Sequence, residues 1–320
     1  MMRISVAVCT YNGAAFVGEQ LASIAAQTRP PDEIVIRDDV SQDATRSILE
    51  GFAASASVPV RVHINPVNLR STRNFEGAIR MCGGDVIALA DQDDVWKPDK
   101  LAVIERAFAQ SPEVGLVFSD ADIIDGDGQA QGYTLWESVR FFPSQQAQVR
   151  AGDALTVLLK HPVVTGAACA FRASYRDLFM PIPPLWIHDE WIAFIIALQA
   201  RLLPISERLI SYRVHSANQI GAESTATTTR VRSALGIDPA VYLKYAEQLT
   251  LLRDHVARVL PGHYDFLRRV EAKIRFLGVR GSLPRSRWRR ALPIARELVS
   301  SRYSRYSNSP LNALRDLMLR

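Results

Sequence analysis

Cysteine is scarce in this 320-residue sequence, and its three positions, Cys9, Cys82 and Cys169, lie far apart. No C-x-x-C pair occurs, so neither a zinc knuckle nor a disulfide framework is predicted, and a reducing cytosol suits the chain. Long apolar runs are also missing. The N-terminal run, ISVAVC, lacks a small-residue cleavage site, which argues against an ordinary signal peptide. The run WIAFIIAL at 191–198 is shorter than the roughly 20 residues that span a bilayer.

The composition is that of an ordinary globular protein, with 48% hydrophobic and 22% charged residues. The length predicts one core of about 200 residues plus an appendage. The charge is unevenly spread, because Arg and Lys exceed Asp and Glu by eleven between Arg268 and Arg320, which leaves residues 1–267 at −6 of a total of +5. An acidic main domain repels phosphate backbones, so a nucleic-acid-binding protein is disfavoured.

Short β-branched runs alternate with helical patterns over residues 4–120. Strands are predicted at 4–9, 33–38, 60–64, 85–90 and 114–120. Helices are predicted at 14–27, 44–54, 72–81 and 100–109, where apolar residues recur at three- and four-residue spacing. This alternation indicates an α/β protein with a mostly parallel sheet, which binds ligands at the carboxyl ends of its strands.

Polar residues follow three of the predicted strands: Thr10, Tyr11 and Asn12 after the first, Asp38 and Asp39 after the second, and the DQDD sequence at 91–94 after the fourth. Any one cluster alone would more often make a turn or cap a helix. Together the three clusters lie at one edge of the predicted sheet, and carboxylates brought together there repel one another. A cation or a donor-rich ligand would offset this repulsion. Oxygen ligands suit Mg²⁺ or Mn²⁺, and few protein ligands leave positions for phosphate oxygens, so a phosphorylated substrate is expected.

Four motifs in order, CTYNGAAFVGEQLASIAAQT, IVIRDDVSQDAT, NLRSTRNFEGAI and DVIALADQDDVWKPDKL, resemble the family 2 glycosyltransferases of GT-A fold, particularly bacterial rhamnosyltransferases and polysaccharide glycosyltransferases. The segments VTGAACAFR, HDEWIAF and YRVHSANQIG extend the resemblance to about two thirds of the chain. The last hundred or so residues are similar only loosely, through RYSRYSN. The resemblance implies a nucleotide-diphospho-sugar transferase (GT-A) fold with a mostly parallel central sheet and a C-terminal α-helical extension.

The resemblance also implies a role for each matching residue. Tyr11 would lie against the nucleobase, and one of Asp38 and Asp39, with Asp39 favoured, would accept the N3 proton of uracil or thymine. Asp91 would face the ribose, Asp93 would bind the metal and Asp94 would support the loop. Asp189 would be the general base, and His215 a further metal ligand or diphosphate contact. The remaining residues expected to contact the nucleotide sugar are Thr10, Asn12, Arg73 and Gln92.

Two positions depart from the family pattern. The usual D-D-G-S-T-D reads DDVSQD here, with Val40 in place of glycine, and the glycine common two residues after Asn68 is Arg70. A β-branched residue adopts a positive φ poorly. The turn after Asp39 is therefore expected to take another shape or to carry strain.

Asp189 has two readings. It begins the segment EWIAFIIAL, predicted to be an amphipathic helix, and on position alone a helix N-cap is the safer interpretation. The flanking His188 and Trp191 match the family pattern and favour the general base.

The C-terminal region is predicted to be helical and basic. Asp238 and Pro239 look like an N-cap and first turn, followed by apolar residues at three- and four-residue spacing that must pack on the catalytic domain or on another subunit. The segment SLPRSRWRRALPIAREL mixes arginines with Trp288, Leu292, Ile294 and Leu298. A membrane-surface element and a solvated basic helix are equally consistent with it.

The sequence predicts an inverting glycosyltransferase with a catalytic domain at 1–221 and an extension at 222–320. It would use Mg²⁺ or Mn²⁺ to move a sugar from a UDP- or dTDP-sugar, dTDP-rhamnose among them, to a glycan acceptor, expected to be lipid-linked, at the cytoplasmic face of a bacterial membrane. The sequence is compatible with a homo-oligomer, and no nucleic acid partner is expected. The alternatives are a non-catalytic nucleotide-sugar-binding protein and a sugar nucleotidyltransferase, although CTYNGAA lacks the lysine that the latter needs in its phosphate loop.

Overall fold

The computed structural model of the chain describes residues 2–215, 238–307, 309 and 311–318. The chain forms two compact units, one of Met1–Ala154 with Val163–Ala222, the other of Leu155–Pro162 with Glu223–Arg320. The predicted boundary between residues 221 and 222 lies outside the described residues. None of the described helices is both long and apolar enough to cross a membrane.

The described part of the first unit contains one mixed sheet. Its strands are β1 Ile4–Thr10, β2 Glu33–Asp38, β3 Val60–Ile64, β4 Val86–Asp91, β5 Val95–Trp96, β6 Val114–Ile124, β7 Ala130–Thr134, β8 Cys169–Arg172 and β9 Arg201–Arg213. The order is β3-β2-β1-β4-β8-β6-β9-β5, and β7 pairs with β6. The strands β3, β2, β1 and β4 are parallel, as are β6 and β9, whereas β8 runs antiparallel to both β4 and β6.

Helices cover this sheet. They are α1 Val17–Ala25, α2 Thr45–Ser55, α3 Arg70–Met81, α4 Lys100–Gln110, α5 Leu135–Ser138, α6 Pro143–Arg150, α8 Arg176–Phe179 and α9 His188–Ala197. The short helix α7 Ala154–Leu158 belongs to the second unit except for its first residue. Every residue of β1 is buried, and in β2 and β4 only one residue of each strand is not. A strand buried on both faces is typical of a parallel sheet covered by helices, so the predicted α/β architecture is confirmed.

The helix α9 differs from its prediction. Seven of its residues are buried, His188 and every position from Trp191 to Ile196, so it is a core helix and the predicted amphipathic pattern is wrong. The N-cap is Ile187, with no side-chain capping bond. Asp189 is the second residue inside the helix, so the interpretation of Asp189 as the N-cap is also wrong.

The second unit is helical over its described residues. Its longer helices are α10 Pro239–Val259, α11 Tyr264–Gly281 and α12 Arg287–Val299, followed by α13 Arg302–Tyr306 and α14 Asn312–Met318. The predicted N-cap is confirmed, because the Asp238 carboxylate accepts a hydrogen bond from the Ala240 N–H at 2.9 Å. Ile294, which was expected among the surface residues of α12, is buried in a small core with Phe276 and Tyr303.

A buried ion pair holds these C-terminal helices together. The Arg280 guanidinium in α11 donates to both oxygens of Asp316 in α14, at 2.6 and 3.0 Å. The Tyr303 hydroxyl in α13 donates to the same carboxylate at 2.8 Å. Three of the helices therefore meet at one carboxylate.

Candidate functional site

The ends of three neighbouring strands form the rim of the site. Thr10 of β1 is paired with Asp38 of β2, and Cys9 of β1 is paired with Asp91 of β4. Because the three strands are parallel, the loops that follow them leave the sheet at the same edge. The polar clusters singled out in the sequence are therefore neighbours.

Asp38 is fully buried and bonded within the protein. Its carboxylate accepts hydrogen bonds from the Thr10 hydroxyl at 2.9 Å, from the Ser41 N–H at 2.9 Å and from the Ser41 hydroxyl. The Arg46 guanidinium lies 3.5 Å away. Asp38 and Thr10 thus stabilise the turn after β2, and both side chains point into the protein.

Asp39 is buried too, and it organises the start of α3. Its Oδ1 accepts from Asn65 Nδ2 at 2.8 Å and from the Leu69 N–H at 2.7 Å, and its Oδ2 accepts from the Arg70 N–H at 2.8 Å. A carboxylate oxygen has two lone pairs, so Oδ2 keeps one for a further donor. Asp38 Oδ1 likewise accepts a single hydrogen bond, from the Ser41 N–H, so each of the two neighbouring aspartates keeps one acceptor position.

Both positions that depart from the family pattern have left-handed backbone. Val40 has φ +66° and Arg70 has φ +63°. The chain therefore adopts a backbone conformation typical of glycine at two positions that are not glycine, the residue after Asp39 and the residue whose N–H donates to Asp39 Oδ2. Such a conformation costs about 1 to 2 kcal/mol for a side chain with a Cβ, so of the two outcomes expected for this turn, strain is the one observed.

The loop after β1 is joined to the DQDD loop by a side-chain amide. Gln92 accepts from the Tyr11 N–H at 2.8 Å through Oε1 and donates to the Tyr11 carbonyl at 3.1 Å through Nε2. A Cβ on Gly13 would lie 2.2 Å from that Oε1, so a larger residue there would displace the Gln92 amide. Asn12 accepts from the Gln42 N–H and links the same loop to the turn after β2. The Tyr11 side chain remains 40% exposed at the centre of these contacts.

The last two of the three carboxylates in the DQDD loop have different partners. Asp93 Oδ2 lies 3.0 Å from His215 Nε2. Asp94 is buried, and its Oδ1 accepts from the Arg213 N–H at 3.0 Å while no hydrogen-bond donor in the described part of the chain reaches its Oδ2. The contact with Arg213 is consistent with the expectation that Asp94 supports the loop.

Negative charge is concentrated here. Burial, followed by the charges of Asp93 and Asp189, raises the pKa of Asp91 to about 8. Burial, followed by Asp93 and Asp91, raises the pKa of Asp94 well above its ordinary value. Asp189 therefore belongs to the same electrostatic neighbourhood as the DQDD loop although it is nearly a hundred residues away in sequence.

Asp189 is held by backbone donors. Its Oδ2 accepts from the Gly166 N–H at 2.7 Å and its Oδ1 from the Glu190 N–H at 2.7 Å. The neighbouring His188 ring stacks on Phe75 with centroids 4.1 Å apart, and burial lowers the pKa of His188. A Cβ on Gly166 would lie 2.8 Å from His188 Nε2. Glycine at 166 thus allows the close approach that fixes the Asp189 carboxylate.

Arg73 forms an ion pair within its own helix. Its Nη1 lies 2.6 Å from Glu76 Oε2, and Glu76 also accepts from Arg80 and from the Ile182 N–H. The predicted role of Arg73 in binding the nucleotide sugar has no support in these contacts.

Two buried cations near the DQDD loop were not anticipated. The Arg213 guanidinium donates to the Asp93 carbonyl at 2.8 Å and to Glu19 at 2.6 Å. The Lys100 ammonium donates to the Ala167 carbonyl at 2.7 Å and lies 3.8 Å from the centroid of the Trp96 ring, and burial lowers its pKa to about 7. Arg213 lies two residues before the predicted ligand His215, but nothing in the sequence distinguishes it from a surface arginine.

The donor set fits a divalent cation that is bound together with a phosphorylated ligand. Over residues 2–215 and the described C-terminal part, no three His, Cys, Asp or Glu side chains are grouped as a metal site. Asp93 and His215 offer an oxygen and a nitrogen at one point. Mg²⁺ in particular is commonly held by one or two carboxylates with substrate phosphates as the other ligands.

Comparison with known sequences identifies a family. The sequence model described as glycosyl transferase family 2 matches residues 5–179, more than half of the chain. An uncharacterised glycosyltransferase of Nostoc sp. is 31% identical over 248 residues, 74% of this chain and 73% of that protein. The dTDP-rhamnosyl transferase RfbG of Shigella flexneri is 36% identical over 235 residues, 67% of this chain and 74% of that protein. The chain spans 59% of the length of a Mycobacterium tuberculosis relative.

Comparison with solved structures supports the same fold. TarS 1–349 of S. aureus, in complex with UDP-GlcNAc, has a TM-score of 0.61 at 17% identity and covers 99% of this chain and 88% of that one. The mannosyltransferase PcManGT from Pyrobaculum calidifontis, in complex with GDP-Man and Mn²⁺, has a TM-score of 0.57 at 20% identity and covers 98% of this chain and 78% of that one. Both neighbours are GT-A glycosyltransferases, so the predicted GT-A fold is confirmed.

Proposed function

Because the chain belongs to glycosyl transferase family 2, as its motifs predicted, and is therefore a glycosyltransferase, we propose that it is an inverting enzyme that moves a sugar from a UDP- or dTDP-sugar to a glycan acceptor. The first donor to test is dTDP-rhamnose, since the Shigella relative is named a dTDP-rhamnosyl transferase. Synthesis of a bacterial surface polysaccharide on a lipid-linked acceptor is the proposed setting.

One observation carries this proposal: a carboxylate held by backbone N–H groups, Asp189, shares its electrostatic neighbourhood with the DQDD loop at the carboxyl end of β4. Inverting transfer needs a base on the acceptor side and neutralised diphosphate on the donor side. Asp189 would be the base, and the DQDD loop would bind the cation that neutralises the diphosphate.

The base is Asp189 in this mechanism. As the acceptor hydroxyl attacks the anomeric carbon, its proton passes to a carboxylate oxygen of Asp189, and the bond to the diphosphate breaks. The hydrogen bonds from Gly166 and Glu190 fix the carboxylate in one orientation, so the base is positioned before the acceptor arrives. A single displacement inverts the anomeric centre.

Donor binding falls to the loops after β1, β2 and β4. Tyr11, half-exposed at the rim, stacks on the nucleobase, and the free lone pair of Asp39 Oδ2 accepts the N3–H of uracil or thymine. Asp91 faces the ribose, and Gln92 and Asn12 keep the loops in register. Arg73 is the least supported member of the set, since its guanidinium pairs with Glu76.

Asp93 and His215 would hold the metal, Mg²⁺ or Mn²⁺. Bound there, a divalent cation would offset the negative charge on the departing nucleoside diphosphate. Arg213 holds the Asp93 carbonyl, so the orientation of this ligand is set by the protein.

The Asp189→Asn variant tests the proposal. Asparagine can still accept from the Gly166 N–H but loses the bond from the Glu190 N–H, at a cost of about 1 kcal/mol, so the chain should stay folded with a slightly lower melting temperature. The donor contacts lie on other loops, so the affinity for UDP or dTDP should be unchanged. Release of nucleoside diphosphate at saturating donor, with a lipid-linked glycan extract as acceptor, should fall by roughly 10²- to 10⁴-fold.

The matched control is Glu190→Gln, which changes the next carboxylate of the same helix and should keep most of the activity. An Asp189→Asn enzyme that turns over at close to the original rate would eliminate Asp189 as the base.

A further inference from the structure

The helix α12 has two contrasting faces. Arg290, Ile294 and Glu297 are buried on one face. On the opposite face lie Trp288, Leu292, Ala295 and Val299, spaced by four, three and four residues, which places them in one row along a helix of 3.6 residues per turn. Trp288 is 91% exposed, Leu292 60% and Val299 88%. These four residues are called the outer row below.

The buried face fixes the direction in which the outer row points. The Arg290 guanidinium donates to the carbonyls of Pro284 and Arg285 at 2.6 and 2.7 Å, and to the carbonyl of Asp316 in α14 at 3.3 Å. Ile294 packs in the same small core as Phe276 of α11. The outer row is therefore presented by a packed helix, which cannot turn over to bury it.

Positive charge surrounds the outer row. Arg287, Arg289 and Arg296 are exposed, and the helix periodicity places Arg287 on one side of the row and the other two on the opposite side. The one acidic residue of α12, Glu297, is buried and lies 2.8 Å from Arg302. The exposed surface of this helix thus combines a tryptophan and aliphatic side chains with cations alone.

We propose that α12 is an in-plane membrane anchor, in which Trp288, Leu292, Ala295 and Val299 enter the boundary between headgroups and acyl chains of an anionic bilayer. Arg287, Arg289 and Arg296 then contact lipid phosphates. An apolar row with tryptophan, bordered by basic residues, is the composition of helices that lie in the membrane interface. Each arginine near an anionic leaflet adds to the attraction.

Of the partners that could cover the outer row and its arginines, an anionic lipid surface is the best match in charge and polarity. A nucleic acid would pair with the arginines but would leave the apolar row in water. A protein partner would need an apolar groove with an acidic border, whereas an anionic bilayer offers apolar and negative surfaces together. The inference rests on the proposed function in one respect only: a lipid-linked acceptor would explain why the enzyme binds a membrane.

The chain carries its own reporter for the test. Of its five tryptophans, Trp96, Trp136, Trp186 and Trp191 are buried and Trp288 alone is exposed. Full-length protein mixed with vesicles of phosphatidylcholine and about one third phosphatidylglycerol should co-sediment, and its tryptophan emission should shift to shorter wavelength. Phosphatidylcholine vesicles should bind it more weakly, and added salt should weaken binding to the anionic vesicles. The variant Trp288→Phe should still bind but lose the shift.

Two variants test the surface itself. The double substitution Trp288→Ser with Leu292→Ser should lower partitioning into the anionic vesicles at least about tenfold, since each removes an apolar side chain from the interface. The matched control is Tyr264→Ser, which removes another exposed aromatic residue of the same unit and should bind as the original protein does.

The proposal is overturned if the original protein does not co-sediment, or if the double variant binds vesicles as well as the Tyr264→Ser control. It is also overturned if sedimentation velocity without lipid finds a dimer that the double variant dissociates, because a second copy would then cover the row. Calorimetry of dTDP and UDP binding on the same variants is independent of the vesicles. A failure of the anchor is therefore distinguishable from a failure of the proposed function.

Discussion

Replacing Arg213 by methionine should both destabilise the first unit and loosen the DQDD loop. The guanidinium is buried and donates to the carbonyls of Asp93 at 2.8 Å, of Gly126 at 3.1 Å and of Asp125 at 3.3 Å. Methionine keeps the length of the side chain but has no donor. Three hydrogen bonds to carbonyls are lost at once, although the Asp125 carbonyl keeps its bond from the Gly128 N–H at 3.0 Å.

The magnitude follows from these contacts. A lost hydrogen bond costs about 1 kcal/mol, so three carbonyls account for about 3 kcal/mol in the free energy of unfolding. The fourth partner, Glu19, adds little because its side chain is 58% exposed. The contact of the guanidinium with the Phe16 ring, 4.9 Å away, is partly replaced by the methionine sulfur.

Urea unfolding followed by tryptophan fluorescence is a suitable assay, because the four buried tryptophans all lie in the first unit. Arg213→Met should lose about 3 kcal/mol, and its affinity for dTDP and UDP with Mn²⁺ should fall in calorimetry. The control Glu19→Gln should change stability by less than about 0.5 kcal/mol. If Arg213→Met loses less than 1 kcal/mol and binds nucleotide normally, the reasoning about this residue is wrong.

Two further variants test local energetics. Val40→Gly relieves the φ of +66° and should raise the free energy of unfolding by about 1 kcal/mol in urea titrations, whereas a decrease would mean that the turn is unstrained. Asp91 has its pKa raised from 3.8 to about 8, so the unfolded chain releases this proton at lower pH than the folded one, and stability falls as pH rises across that interval. Asp91→Asn should therefore raise the melting temperature of metal-free protein at pH 8 and change it little near pH 4, and equal shifts at both values would contradict this.

The sheet was predictable because its strands are uninterrupted apolar runs. The strands at 33–38 and 60–64 have the predicted bounds, and the others predicted in the first unit differ by at most a few residues. The two-residue β5 and the four-residue β8 were not predicted, since runs so short have no periodicity to detect. The prediction that α9 is amphipathic was wrong because both faces of the helix are buried. That burial depends on neighbours distant in sequence.

The polar residues at the ends of β1, β2 and β4 were predictable from the sequence, whereas their hydrogen-bond partners were not. Asp38 ends β2 and Asp39 follows it, yet the Asp38 carboxylate bonds within the turn and the Asp39 carboxylate bonds to the start of α3. The burial of Arg213 depends on Glu19 and Gly126, which the sheet brings to it from far along the chain. Single residues of ordinary type have no sequence pattern that reveals such contacts.

Calorimetry of dTDP and UDP binding, with and without Mn²⁺, tests whether Asp93 holds the metal when the original protein is compared with Asp93→Asn. Asp93 contributes the carboxylate of the proposed metal pair with His215, and its removal leaves the bonds of Arg213 to the loop backbone in place. At least one nucleotide should bind about tenfold or more tightly with Mn²⁺, and Asp93→Asn should abolish this gain while keeping its melting temperature. Binding of neither nucleotide, or the same gain from Mn²⁺ in the variant, would contradict this assignment.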